Sequence, residues 1–187
     1  QSFTNSILKD KKIKLDYLIL NAGIMAVQER QETVDGFEKQ VGVNHFGHAF
    51  LVDNLYAKFT SEAKSRGADC RVVCLTSSAH SMGTCRPENL HYENGRQYAA
   101  WGAYGQSKLC NLLYAKGLEK RFRDDGFAEC CTSIGVHPGV IKTPLWRNTA
   151  FSSNFIVSFI GDLVIMAKTI PQGAATTVYA TLATEAK

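Results

Sequence analysis

Along the chain, short continuous apolar runs alternate with stretches in which apolar residues recur at helical spacing, a pattern that predicts strands and helices in turn. Ser2 to Lys12 reads as the end of a helix and a polar connection. The run Leu15-Asp16-Tyr17-Leu18-Ile19-Leu20, closed by Asn21-Ala22-Gly23, predicts a buried strand and a tight turn. From Gly36 to about Ser65, Phe37, Val41, Phe46, Phe50, Leu51, Leu55 and Phe59 predict one long helix. Arg71 to Thr76 is a second β-branched strand run and ends in Ser77-Ser78-Ala79-His80. The segment from Ser81 to Ala100 is polar, holds Gly, Pro and Asn, and reads as a long excursion with a short helix at most, of the kind that serves binding. A helix through Tyr104, Lys108, Leu109, Leu112, Leu113, Leu118 and Phe122 stops at Asp125-Gly126. Cys131 to Val136 is a third strand, followed by His137-Pro138-Gly139-Val140-Ile141-Lys142-Thr143, where Pro and Gly set a sharp turn that exposes backbone. Thr169-Ile170-Pro171-Gln172 fits a capping box opening a last helix that runs to about Thr184.

This order places small or hydroxyl-bearing residues after each strand. In an open α/β sheet the carboxyl ends of the strands are where backbone approaches a ligand, and small residues permit close approach. Asn21-Ala22-Gly23 is either such a site or a plain strand-to-loop turn. Asn44 sits within a helix among apolar and small residues, where it must find partners. It either bonds neighbouring backbone or marks a distorted turn whose freed carbonyl holds a water. His45 and His48 lie three apart, with no further ligand cluster to make a metal site.

Tyr104 and Lys108 are four residues apart and so project from one helical face. The lysine can favour the phenolate and make the tyrosine a usable base. A free tyrosine titrates near pH ~10, and poising it near neutrality takes roughly 4 kcal/mol. An exposed ion pair supplies less than ~1 kcal/mol. The pair is therefore chemical only in a dry pocket with a further positive group nearby, a charge that an oxidised nicotinamide ring would supply.

Composition narrows the classes. The chain has 187 residues, 45% of them hydrophobic, enough for one domain with a core. The net charge of +4 comes from interleaved acids and bases, with no run suited to a nucleic-acid arm. Six cysteines without C-x-x-C spacing read as reduced thiols of an intracellular protein, and the compartment, cytoplasmic or endoplasmic-reticulum-associated, is left open by the residues. No signal-peptide pattern opens the chain, and no apolar run reaches the ~18 residues of a membrane span. The apolar stretch from Phe151 to Met166 suits a core helix, a lid over a greasy substrate, or an element resting on a membrane surface.

Taken in order, strand-Asn21-Ala22-Gly23, helical Asn44, strand-Ser77-Ser78, Tyr104-x-x-x-Lys108 and strand-Pro138-Gly139-x-x-x-Thr143 resemble the short-chain dehydrogenase/reductase superfamily. The resemblance is closest to its retinol-dehydrogenase-like branch, through Val43-Asn44-His45-Phe46-Gly47-His48, Ser77-Ser78-Ala79-His80, Tyr104-Gly105-Gln106-Ser107-Lys108-Leu109 and His137-Pro138-Gly139. It implies a partial doubly wound, Rossmann-like parallel sheet with flanking helices, a single incomplete domain over residues 1–187. It also implies an oxidoreductase that uses NADP or NAD, NADP being the family's usual choice, on a small hydrophobic alcohol or carbonyl that is retinoid-, steroid- or aliphatic-like. Tyr104 would be the general acid/base, and Lys108 would lower its pKa and bond the nicotinamide ribose. Ser78, with Ser77 as its rival by one step of strand phase, would bond the substrate oxygen. Asn44 would hold a relay water, Asn21, Ala22 and Gly23 would line the cofactor, and Pro138, Gly139, Val140 and Thr143 would meet the nicotinamide carboxamide.

One feature of the family is missing: no two glycines are separated by a single residue, so the glycine-rich G-x-G turn that holds the pyrophosphate does not occur. The chain thus reads as an internal fragment or truncated product of such an enzyme, with three strands. The alternative is a non-catalytic remnant that acts through protein contacts of its long helices, which pack together in family homodimers.

Overall fold

The computed structural model describes residues 2–141, 145 and 167–186. Helix α1 (Ser2–Lys9) leads to strand β1 (Tyr17–Leu20). A one-turn helix α2 (Lys39–Val41), a π-turn (Gly42–Phe46) and helix α3 (Gly47–Arg66) carry the chain back to strand β2 (Cys70–Leu75). Helix α4 (Ala100–Asp124) precedes strand β3 (Cys131–Val136), and helix α5 (Ile170–Leu182) follows. The sheet is parallel with order β1-β2-β3, Leu20 beside Cys74 and Leu75 beside Val136. Parallel neighbours need crossover connections, and here they are helical.

Strand β2 is buried along its whole length, because it is covered on both faces. Cys70, Val72 and Cys74 point to one face, against Val52, Tyr56, Phe59 and Ala63 of α3 and Ala115, Leu118 and Phe122 of α4. Val73 and Leu75 point to the other, against Val136 and Ala180 of α5. Arg71 faces α5 as well: its guanidinium, almost fully buried, donates to the carbonyls of Ala180 and Ala183 and pairs with Asp69 at 2.7 Å. An arginine at a helix C-terminus satisfies carbonyls that have no partner within the helix. Helices on both faces make this the α/β, doubly wound arrangement expected from the sequence.

The long helix expected from Gly36 begins later. Gly36 has φ +81° and closes a turn, and Glu38 is the N-cap, its carboxylate accepting from the backbone N–H groups of Gln40 and Val41. Phe37, counted as part of the apolar stripe, lies before the cap and packs on Phe46 and His91. The end at Arg66 is set by Gly67, which takes a left-handed conformation. Helix α4 closes before Gly126, itself at φ +79°.

The polar excursion is firmly held. Short 3₁₀ turns cover Ser78–Met82 and Pro87–Asn89. Arg96 donates to Gln106 Oε1 (2.7 Å) and to the Asn89 carbonyl (2.6 Å) while lying over the Tyr92 ring, and Gln40 Nε2 donates to the Tyr98 hydroxyl. The capping box at Thr169 forms with Gln172, and all six cysteines are free thiols. Among the described residues no helix is long and apolar enough to cross a membrane. Thr143, Lys142 and the apolar stretch Phe151 to Met166 lie outside the described residues.

Candidate active site

Helix α4 places Tyr104 and Lys108 one turn apart on a face turned into the protein, both almost fully buried. Lys108 Nζ stands 5.7 Å from the centre of the Tyr104 ring. Burial pushes the Tyr104 hydroxyl up from its ordinary value, and a hydrogen bond with the Ser77 side chain draws it partly back. Burial also brings Lys108 down to about 8. Low polarity disfavours both charged forms. Lys108 is anchored through its carbonyl, which accepts from Thr76 Oγ1 (2.8 Å), and through Nζ, which donates to the Leu75 carbonyl (3.2 Å).

The sheet's carboxyl edge supplies the other parts. Asn21 and Ala22 stand exposed beyond β1. Gly23 reaches the pair: a Cβ there would lie 3.2 Å from Asn44 Oδ1 and 3.7 Å from Lys108 Nζ. Asn44 lies inside the π-turn, fully buried, with both amide N–H groups and the amide oxygen bonded to protein groups. Oδ1 accepts from Ile24 N (2.8 Å), while Nδ2 donates to the Ile24 carbonyl and to Ser107 Oγ, both at 2.9 Å. Ser107 Oγ in turn donates to the Tyr104 carbonyl (2.7 Å). Of the two readings of Asn44, the structure combines a distorted turn with bonding to backbone. That turn's Asn44 carbonyl meets His48 Nδ1 at 3.0 Å, and His45 Nδ1 meets Asn111 Oδ1 at 3.2 Å, so each histidine has a protein partner.

The two serines are placed differently. Ser77 is the serine whose side chain is placed to lower the Tyr104 pKa, and it also caps the first 3₁₀ turn by accepting from Ala79 N. Ser78 opens that turn and is exposed. Neighbouring side chains leave an extended chain in opposite directions, so Ser77 lies on the Tyr104 side and Ser78 on the solvent side. The segment from Ser77 to Gly83 is drawn onto α4 by two glycines: a Cβ on Gly105 would be 2.5 Å from the Ala79 carbonyl oxygen, and one on Gly83 would be 2.3 Å from Gly105 C.

Beyond β3, Gly139 has φ +89°, and the Lys168 stem covers its α-carbon, where a Cβ would meet it at 3.1 Å. Lys168 N donates to the Val140 carbonyl (2.8 Å), which with its Nζ contact to the Pro138 carbonyl fixes the turn. Because Thr76 N donates to the Val136 carbonyl, this turn stands beside the serine segment. Met25, Ala26 and Ala79 pack around Tyr104, with Trp101 and Leu145 alongside, so the phenol has an apolar surround. Sequence reasoning does not single out these apolar neighbours, Ser107 or Asn111. For the last two there is a signal: Tyr104, Ser107, Lys108 and Asn111 fall at i, i+3, i+4 and i+7, a polar stripe on one helix face.

An open, doubly wound α/β sheet with a polar site at the carboxyl edge of its strands defines the class. No family model matches the chain. It is 38% identical over 173 residues to the short-chain dehydrogenase TIC 32 A, chloroplastic, of Brassica napus, a match covering 91% of this chain and 52% of that protein. It is 36% identical over 184 residues to retinol dehydrogenase 12 of Mus musculus, covering 98% and 52%. Among solved structures, a protein from Mycobacterium paratuberculosis superposes with TM-score 0.67 at 33% identity, covering 96% of this chain and 54% of that one. A 4-hydroxyisoleucine dehydrogenase mutant complexed with NADH and succinate gives TM-score 0.63 at 20% identity, covering 99% and 67%. The chain belongs to the short-chain dehydrogenases/reductases and is similar to the retinol dehydrogenases within them. It spans about half the length of the curated relatives it matches.

Proposed function

We propose that this chain carries the acid/base centre of an NAD(P)-dependent oxidoreductase acting on a hydrophobic alcohol or carbonyl. The observation that carries the reading is the meeting of buried Tyr104 and Lys108 with half-buried Ser77, beside apolar side chains, at the carboxyl edge of a parallel sheet. A nicotinamide cofactor supplies, when bound, the hydride donor or acceptor and, when oxidised, a positive ring. The chain fits it. Gly23 leaves open the space beside Lys108 Nζ that any side chain would fill, and Asn21, Ala22 and the Pro138-Gly139-Val140 turn offer backbone at the same edge.

In alcohol oxidation Tyr104 Oη takes the hydroxyl proton; in carbonyl reduction it gives one to the oxygen. The Ser77 hydroxyl donates to that same oxygen as charge develops on it. Lys108 favours the phenolate electrostatically, and Asn44 fixes the Gly23-Ile24 backbone and Ser107 around them. The apolar surround of Met25, Ala26 and Trp101 suits a greasy substrate and excludes water. A relative named for retinol and a structural neighbour complexed with NADH support the two halves of the reading. Six free thiols fit a reducing, intracellular setting.

The test is a hybrid in which residues 1–187 replace the matching stretch of mouse retinol dehydrogenase 12. It is expected to oxidise NADPH or NADH in the presence of retinal or a long-chain aldehyde. A folded hybrid that binds dinucleotide and turns over neither substrate would contradict the reading.

A further inference from the structure

The carbonyl oxygen of Leu75, at the carboxyl end of β2, accepts two hydrogen bonds from α4. One comes from Lys108 Nζ at 3.2 Å and the other, shorter, from Asn111 Nδ2 at 2.9 Å. Leu75, Lys108 and Asn111 are all buried. Asn111 follows Lys108 by three residues and Tyr104 by seven, so the three share a face of the helix.

The orientation of Asn111 is fixed by the Leu75 carbonyl, which only accepts, and its other end is braced by His45. Its Oδ1 meets His45 Nδ1 at 3.2 Å, and since Oδ1 only accepts, His45 presents Nδ1–H. Burial lowers the His45 pKa, which keeps that imidazole neutral. Turning the amide over would set its oxygen against the Leu75 carbonyl oxygen. A carbonyl oxygen has two lone pairs. Asn111 takes one, and the ammonium has the other, at the longer distance. Among the described residues Lys108 Nζ has no other hydrogen-bond acceptor, and its open side faces Gly23.

We propose that Asn111 is a positioning residue for Lys108: by occupying one lone pair of the Leu75 carbonyl it loosens that carbonyl's hold on the ammonium and leaves the remaining N–H groups turned towards Gly23 and the site. The inference rests on the oxidoreductase reading for its purpose, and it adds a residue outside the Tyr-Lys motif. The titratable groups facing Lys108 are Tyr104 on its own helix and His48 at the start of α3. Asn111 spends its amide on Leu75 and His45 rather than on either of them, so changes at Asn111 reach Lys108 through Leu75.

The test follows the titration of Lys108 by NMR of its Cε and Nζ in the 187-residue chain. Asn111→Leu frees the carbonyl for the ammonium and is expected to raise the Lys108 pKa by about one unit, a tenfold change in proton affinity. His45→Leu leaves Asn111 in place but unbraced and is expected to move Lys108 the same way by less. A purely structural asparagine would lower the melting temperature without moving Lys108. A Lys108 titration that stays put or falls in these variants overturns the proposal; should Asn111→Leu not fold, His45→Leu carries the decision. The oxidoreductase reading fails separately, through a folded retinol dehydrogenase hybrid that binds dinucleotide without turnover while the Lys108 titration still moves.

Discussion

Burial acts on Tyr104 and Lys108 in opposite senses, holding the phenol protonated and easing the proton off the amine. The pair alone is therefore no standing ion pair. A further positive group has to arrive with the ligand before the phenolate becomes accessible, as the energetics of an isolated tyrosine require. The same burial makes a stability prediction with a definite sign. Below pH 8 Lys108 is charged in both folded and unfolded chains and its burial opposes folding. Between about 8 and the ordinary 10.5 the folded chain has lost the proton and the unfolded one has not, so stability rises with pH across that window. The interval corresponds to about 3 kcal/mol. Comparing unfolding free energies of the parent and Lys108→Met from pH 7.5 to 10.5 should show the parent gaining on the variant; parallel curves would contradict it. Ser77 and Ser78 give a second residue-scale prediction, argued from the Ser77 contact with Tyr104 and the exposure of Ser78. In the retinol dehydrogenase hybrid, Ser77→Ala should reduce kcat by about 10² or more, as loss of an oxyanion donor does, and Ser78→Ala by less than about threefold. The reverse pattern would return the role to Ser78. Tyr104 and Lys108 are legible in the sequence because four-residue spacing fixes a shared helix face. The choice between Ser77 and Ser78 is not, since the one-residue phase of a strand's end is invisible to pattern.

At the scale of elements, α4 does most of the positioning, and Gly105 explains how. It follows Tyr104 directly, and its missing side chain lets the Ser77-to-Gly83 segment rest on the helix backbone. Helix propensity and packing here pull in opposite directions. Alanine in a helix interior is worth about 0.5–1 kcal/mol over glycine. At Gly117, in the same helix with nothing near its Cβ position, Gly117→Ala should stabilise by that amount. At Gly105 the new methyl would meet the Ala79 carbonyl oxygen at 2.5 Å, and overpacking of this kind costs about 1–3 kcal/mol. Gly105→Ala should therefore destabilise in denaturant titrations, and equal stabilisation at both sites would refute the close contact. Apolar spacing reveals α3 and α4 and the three strand runs, β3 to its ends. It misses the start at Lys39 and the π-turn, because a buried capping glutamate and an asparagine bonded across to Ile24 and Ser107 depend on tertiary partners.

For the whole molecule, the order of elements follows from the sequence more readily than their joint chemistry. Three parallel strands with helices on both faces bring Gly23, Ser77 and Pro138-Gly139, far apart in sequence, to one edge. Each turn is ordinary by itself; the sheet makes them neighbours. Strand β1 has one strand neighbour among the described residues, and Tyr17 and Ile19 on it are 42% and 48% exposed. A bare edge of that kind invites pairing, which is why the hybrid rather than the bare chain is the better host for kinetics. There the central claim, that Tyr104 Oη moves the substrate proton, meets its most direct measurement: kcat and dinucleotide affinity of the hybrid before and after Tyr104→Phe. The substitution removes one hydroxyl from an apolar surround and should leave folding and dinucleotide affinity nearly unchanged while kcat falls by about 10² to 10⁴. A kcat within about tenfold of the parent's, with the dinucleotide still bound, would contradict the assignment.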